Sequence, residues 1–243
     1  MKEDMTVSRK GPHKPNSKRA VAVEKLFRCL SQHYVLNEWW PADSSFEVAV
    51  GAILTQNTSW KNAAAAVSNL RKNDMICPGH IIDSQKEELE RLITPSGCFR
   101  QKALKLRRFS SFLMEEYGGE MAGMSVEPVD EVRNKLMNVE GIGNETADAI
   151  LLYACRMPVF VVDAYTFRIF QRIGISDKHA KYGQVRELVE KSIGGNTSDY
   201  SLFHALLVEF AKGQCRKVPL CDTCFIKDCR YRVQSDIEKN ISE

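Results

Sequence analysis

The chain has 243 residues, 44% hydrophobic and 27% charged, with a formal net charge of +3, enough for one large domain or two small ones. No run of about 18 apolar residues is present, so no membrane span is expected, and Met1 to Arg19 contains no apolar h-region, which speaks against secretion. Eight cysteines would suit a disulfide scaffold, but Cys29, Cys77, Cys98 and Cys155 lie scattered in apolar or helical surroundings, so free thiols in a cytoplasmic compartment (nuclear in a eukaryote) fit better.

In chain order, residues 1–18 are rich in Lys, Pro, Ser and Gly and lack periodicity, and a disordered basic tail is expected over 1–19. That tail holds six basic and two acidic side chains. The remaining body is nearly neutral, so affinity for a polyanion must come from local patches. Val23, Leu26, Phe27 and Leu30 form an i, i+3, i+4, i+7 stripe and predict a helix. Trp39-Trp40-Pro41 and Trp60 contain every tryptophan; they read either as core packing or as flat faces for stacking. Phe46 to Leu54 is apolar on nearly every face and predicts a buried central helix. Gln56 follows it as a polar residue at a helix end. Trp60 to Leu70, Glu87 to Leu92 and Gln101 to Tyr117 carry the helical period. Arg100, Lys102, Lys105, Arg107 and Arg108 form a basic patch or, equally, a solvated helix face. Pro78-Gly79, Pro95-Ser96-Gly97, Gly118-Gly119 and Gly194-Gly195 read as turns. Strand signals are weak, with Val159 to Val162 the best apolar run, and the chain reads as all-α.

Glu131 to Met137 predicts a short helix that the spaced glycines Gly141 and Gly143 end, both expected to favour positive φ. Asn144 is the predicted N-cap of a following helix with Ala147, Ile150, Leu151 and Ala154 on one face. Such a hairpin aims backbone N–H groups outward and can hold a phosphate without reading sequence, or is an ordinary turn between helices. Asp163 stands between the apolar run and an amphipathic helix. It is a predicted N-cap, and the helix dipole would keep its carboxylate ionised.

Cys215, Cys221, Cys224 and Cys229 are spaced C-x5-C-x2-C-x4-C among Lys212, Arg216, Lys217, Lys227, Arg230 and Arg232. Four thiolates this close suit tetrahedral zinc or an iron–sulfur cluster better than two disulfides.

Val139-Glu140-Gly141-Ile142-Gly143-Asn144-Glu145-Thr146-Ala147-Asp148, followed by Val161-Val162-Asp163-Ala164-Tyr165-Thr166-Phe167-Arg168, resembles the helix-hairpin-helix–Gly/Pro–Asp signature of the endonuclease III superfamily of DNA glycosylases. Ile53-Leu54-Thr55-Gln56-Asn57-Thr58 resembles that family's segment that fills the gap left by an extruded nucleotide. The four cysteines stand at the place of its [4Fe-4S] loop, with each outer gap one residue shorter than usual. The likeness runs from about residue 30 to 230.

The resemblance implies a two-lobed helical bundle with an active-site cleft between the lobes. Residues 20–45 plus 158–233 would form a discontinuous domain carrying the iron–sulfur loop, 46–157 a helical-barrel domain carrying the hairpin, and 234–243 a C-terminal tail. It assigns catalysis to Asp163, the wedge to Gln56, DNA backbone contacts to Gly141, Gly143, Asn144 and Lys102, and a [4Fe-4S] cluster to Cys215, Cys221, Cys224 and Cys229, with zinc as the alternative. Bifunctional members carry a lysine in the second helix of the hairpin motif; Glu145 stands there, and a carboxylate forms no imine. Trp39, Trp40 and Trp60 resemble the base pocket of the 3-methyladenine branch. A monomeric, monofunctional base-excision-repair glycosylase acting on damaged double-stranded DNA, with no membrane association, is therefore expected. The alternatives are a glycosylase for uracil, thymine mismatches or oxidised pyrimidines, a non-catalytic helix-hairpin-helix DNA-binding module, and an iron–sulfur redox sensor.

Overall fold

The computed structural model describes residues 17–36 and 39–234, and these are helical with no strand among them. The chain forms two compact units, one of residues up to Trp39 together with Val159 onward, the other of Trp40–Pro158. Of the expected basic tail, residues 1–16 lie outside the described residues. Ser17 caps the first helix by accepting the Ala20 amide at 3.2 Å, so Lys18 and Arg19 belong to the helix and not to a tail. The C-terminal tail lies outside the described residues from 235 onward.

In the unit Trp40–Pro158, α2 (Ser45–Leu54) is the hub. Every residue from Phe46 to Leu54 is buried, as its unbroken apolar run requires. Around it stand α3 (Trp60–Lys72), α6 (Phe99–Tyr117) and α8 (Asn144–Ala149), which runs on as one π-helical segment, Ile150–Ala154. Each buried Leu or Ile contributes about 1.5–3 kcal/mol. Gly51 is needed here because a Cβ would lie 3.3 Å from the Trp40 indole. The helices α4 (Pro78–Asp83), α5 (Lys86–Ile93) and α7 (Val129–Asn138) complete the unit. Pro78 does not make a turn as expected; it occupies the first position of α4, where its missing N–H costs nothing. Arg133 of α7 donates to the fully buried Asp148 of α8 at 2.6 Å. Removing either partner of such a buried pair costs about 3–5 kcal/mol.

In the other unit, α1 (Lys18–His33) buries the predicted Val23, Leu26, Phe27 and Leu30 stripe. It packs on α10 (Tyr182–Ile193) and α11 (Thr197–Gly213), and α9 (Ala164–Ile173) packs on α11. Helix α11 is buried almost throughout from Tyr200 to Ala211. The apolar run Val159 to Val162 is buried but joins no sheet. Side chains satisfy its backbone instead: Glu190 Oε1 accepts the Phe160 amide at 2.9 Å and the Tyr182 hydroxyl accepts the Val162 amide at 3.3 Å. This fixes the strand-like lead into Asp163.

Candidate functional site

Asp163 is the N-cap of α9, with φ −101° and ψ 179°. Its Oδ1 accepts the Thr166 amide at 2.7 Å and the Thr166 hydroxyl at 2.8 Å. Its Oδ2 lies 3.8 Å from Nε2 of His204, a residue of α11, and the Asp163 side chain is 13% exposed. Burial pushes the carboxyl upward, but the neighbouring His204 imidazole, with the two bonds from Thr166, outweighs it and holds Asp163 below its ordinary value. The result is an ionised carboxylate with one oxygen tied to a helix end and the other beside an imidazole. The Trp39 ring meets His204 edge-on, centroids 6.4 Å apart, and Lys212 Nζ lies 5.4 Å from the Trp39 centroid. Sequence reasoning found Asp163 and Trp39 and missed His204, which sits inside an apolar run and reads as core.

Trp40 and Trp60 come together in the unit Trp40–Pro158. Their rings meet at 5.1 Å and 66°, and Tyr153 stacks obliquely on Trp40 at 5.0 Å. Both indoles are only half buried. Tyr153 lies in the π-helical segment, which shifts it off the straight helical face that the sequence period describes.

The hairpin differs from expectation in its capping. Gly141 alone takes a positive φ, +95°. Gly143 is extended and is itself the N-cap of α8, so Asn144 is the first helical residue and not the cap. The Asn144 Oδ1 is drawn aside by Arg133, which donates to it at 2.6 Å. Glu145 is exposed in the first turn of α8. Gln56 lies against this hairpin: its Nε2 donates to Thr146 Oγ1 at 2.8 Å and to the Gly141 carbonyl at 3.4 Å, and its Oε1 accepts from Lys105 Nζ.

Lys102 is not a surface contact. It is 3% exposed, and its Nζ donates to the Leu54 carbonyl at 2.9 Å and the Ser96 carbonyl at 2.6 Å. It thus satisfies a C-terminal carbonyl of α2 that would otherwise be buried without a donor. Of the rest of the basic run, Arg100 stays exposed, whereas two others reach partners. Arg107 donates to the Ile82 carbonyl at 2.7 Å and Arg108 pairs with Glu140 at 2.8 Å. Lys135, the nearest lysine before the hairpin, is held by Glu127 at 3.0 Å and pushed above its ordinary value, chiefly by that bond.

Cys215, Cys221, Cys224 and Cys229 are free thiols that line one pocket with Arg172, Phe210 and Ile226. Among the described residues no three ligating side chains converge on a single ion. Burial first, then the neighbouring cysteines, push Cys221 and Cys224 up. Four thiols lining one pocket are a donor set that would fit a metal–sulfur group. Arg172 binds the loop from α9, donating to the Arg216 carbonyl at 2.6 Å, the Lys217 carbonyl at 2.9 Å and Cys215 Sγ at 3.4 Å. Phe225 anchors the other side, stacked on His33 of α1 at 3.8 Å and packed on Phe210 of α11 at 5.4 Å.

Residues 50–194 match the family model described as HhH-GPD superfamily base excision DNA repair protein. A candidate DNA repair glycosylase of Methanocaldococcus jannaschii is 42% identical over 85% of this chain and 94% of its own length. Endonuclease III of Thermotoga maritima is 27% identical over 86% of this chain and 92% of its own. Among solved structures, H. pylori 3-methyladenine DNA glycosylase bound to 1,N6-ethenoadenine is similar with a TM-score of 0.69 at 27% identity, covering 81% of this chain and 98% of that one.

Proposed function

This chain belongs to the HhH-GPD superfamily and is a base-excision-repair DNA glycosylase, and from that premise we propose that it is monofunctional, hydrolysing the glycosidic bond of an extruded alkylated purine such as 3-methyladenine. The observation that carries the proposal is the setting of Asp163, a largely buried carboxylate at the start of α9 with Thr166 donating twice to Oδ1 and the His204 ring 3.8 Å from Oδ2. As the bond from C1′ to the base lengthens, positive charge builds on the sugar, and a fixed carboxylate stabilises it. Water then adds to C1′, its proton leaving through the carboxylate, and the base departs with the bonding electrons. A base such as 3-methyladenine is already cationic and needs no acid to leave. Exposed Glu145 stands where bifunctional relatives carry lysine, so no amine is supplied to capture the sugar.

Trp40 and Trp60, with Tyr153, supply stacking faces for an extruded base, worth about 1–3 kcal/mol each and more for a cationic one through cation–π attraction. Trp39 lies beside His204 in the other unit. Likeness to the H. pylori 3-methyladenine glycosylase supports this choice of base. Gln56 is the wedge, and the backbone of Gly141, Gly143 and Asn144 takes a phosphate of double-stranded DNA. Lys102 is withdrawn from that set because its ammonium is sealed inside the fold. Cys215, Cys221, Cys224 and Cys229 would hold a [4Fe-4S] cluster. When bound, it supplies structure in place of a reaction step, neutralising the thiolates and fixing the basic loop between Arg172 and Phe225.

The test is free-base analysis after incubating the protein with duplexes containing 3-methyladenine, 7-methylguanine, uracil or thymine glycol. Release of methylated purines supports the reading; release of uracil or thymine glycol alone would place the enzyme with the pyrimidine-specific members instead.

A further inference from the structure

Gln56 is half exposed, yet both ends of its carboxamide are engaged. The nitrogen donates to Thr146 at 2.8 Å and to the Gly141 carbonyl at 3.4 Å, and the oxygen accepts from Lys105. Lys105 comes from α6 and lies along the hairpin glycine: a Cβ on Gly141 would fall 2.6 Å from Lys105 Cγ, so the glycine is required there for its lysine neighbour as well as for its φ of +95°. One turn along the same helix face, Arg108 ties down Glu140 at 2.8 Å. Helix α6 thus grips the hairpin at two successive residues, and one of the two grips also holds the side chain read above as the wedge.

We propose that Lys105 is a positioning residue whose ammonium, seated over Gly141, joins the Gln56 carboxamide to the hairpin so that the wedge and the phosphate-holding turn act as one unit. The inference rests on the wedge reading of Gln56. A glutamine released from Lys105 and Thr146 would sample several rotamers, and each inserted contact would then carry the entropy of ordering it. Lys105 therefore acts through Gln56 and not as a separate phosphate contact. Losing an ordinary lysine–phosphate contact would instead weaken binding to all duplexes alike and lower the salt slope by about one unit.

The experiment is a double-mutant cycle on affinity for a duplex carrying a tetrahydrofuran abasic analogue, which leaves a gap for the wedge whatever base the enzyme prefers. Lys105→Met keeps the stem over Gly141 and removes the ammonium. Charge-assisted hydrogen bonds of this kind predict a loss of about tenfold in the wild-type background. In the Gln56→Ala background the same change is expected to cost less than about twofold, with the salt slope unaltered. Thr146→Val, which removes the second partner without changing charge, is expected to behave likewise. Equal losses in both backgrounds, a salt slope lower by about one, or no loss from Lys105→Met would overturn the proposal. A wild type that prefers the analogue duplex but releases none of the tested bases would refute the substrate reading alone and leave the cycle interpretable.

Discussion

Asp163→Asn separates the two tasks of one side chain. As a cap, Asp163 uses Oδ1 to accept the Thr166 amide at 2.7 Å and hydroxyl at 2.8 Å. Asparagine offers a carbonyl oxygen with the same reach and ranks with aspartate as an N-cap, so the helix start survives, whereas Asp163→Ala loses about 1 kcal/mol there. As a charge, the carboxylate has no replacement. One unit charge about 4 Å from a developing cation, at an effective dielectric of about 20, is worth about 4 kcal/mol, or roughly a thousandfold in rate. The assay is single-turnover release of 3-methyladenine, with thermal melting alongside. The expected result is a rate lower by about three orders of magnitude for Asp163→Asn at nearly unchanged melting temperature. A rate within about tenfold of wild type would refute the electrostatic argument, since an uncharged amide would then suffice.

The acid side of the rate profile tests His204. Asp163 is held below its ordinary value, so its charge survives as pH falls through the usual aspartate range, while the stability it contributes is full above that range and fades from there down through the lowered native value. His204→Leu leaves burial unopposed on that side, and the acid limb is expected to move to higher pH; superimposable profiles would contradict the pairing. Lys102→Met should destabilise the fold by about 1–3 kcal/mol in denaturant melts, because two buried carbonyls lose their donor, with no change in the salt dependence of DNA binding; a reduced salt slope would return Lys102 to the DNA surface. Cys224→Ser should lower iron content and absorbance near about 400 nm in the purified protein, and a colourless wild type holding zinc would contradict the cluster.

The helices were legible wherever one face or all faces are apolar: α1 by its stripe, α2 by its unbroken run. Asp163 was legible as an N-cap from its place between an apolar run and an amphipathic helix, whereas its catalytic assignment came from the likeness to the glycosylase signature. What escaped the sequence is what tertiary neighbours decide. Lys102 sits in a basic run that looks solvated, and only the carbonyls of Leu54 and Ser96 draw its ammonium inside. Asn144 has the right chemistry for a cap, but extended Gly143 starts the helix one residue earlier and Arg133 claims the asparagine oxygen. His204 and Tyr153 read as core until Asp163 and Trp40 are found beside them.

Borohydride trapping tests the central claim most directly. Wild-type protein mixed with a lesion duplex and sodium borohydride is expected to yield free base and no protein–DNA adduct, because Glu145 cannot form an imine, while Glu145→Lys gives the method a positive arm. A covalent adduct with the wild type, accompanied by strand cleavage, would show that some other amine reaches C1′ and that water is not the nucleophile.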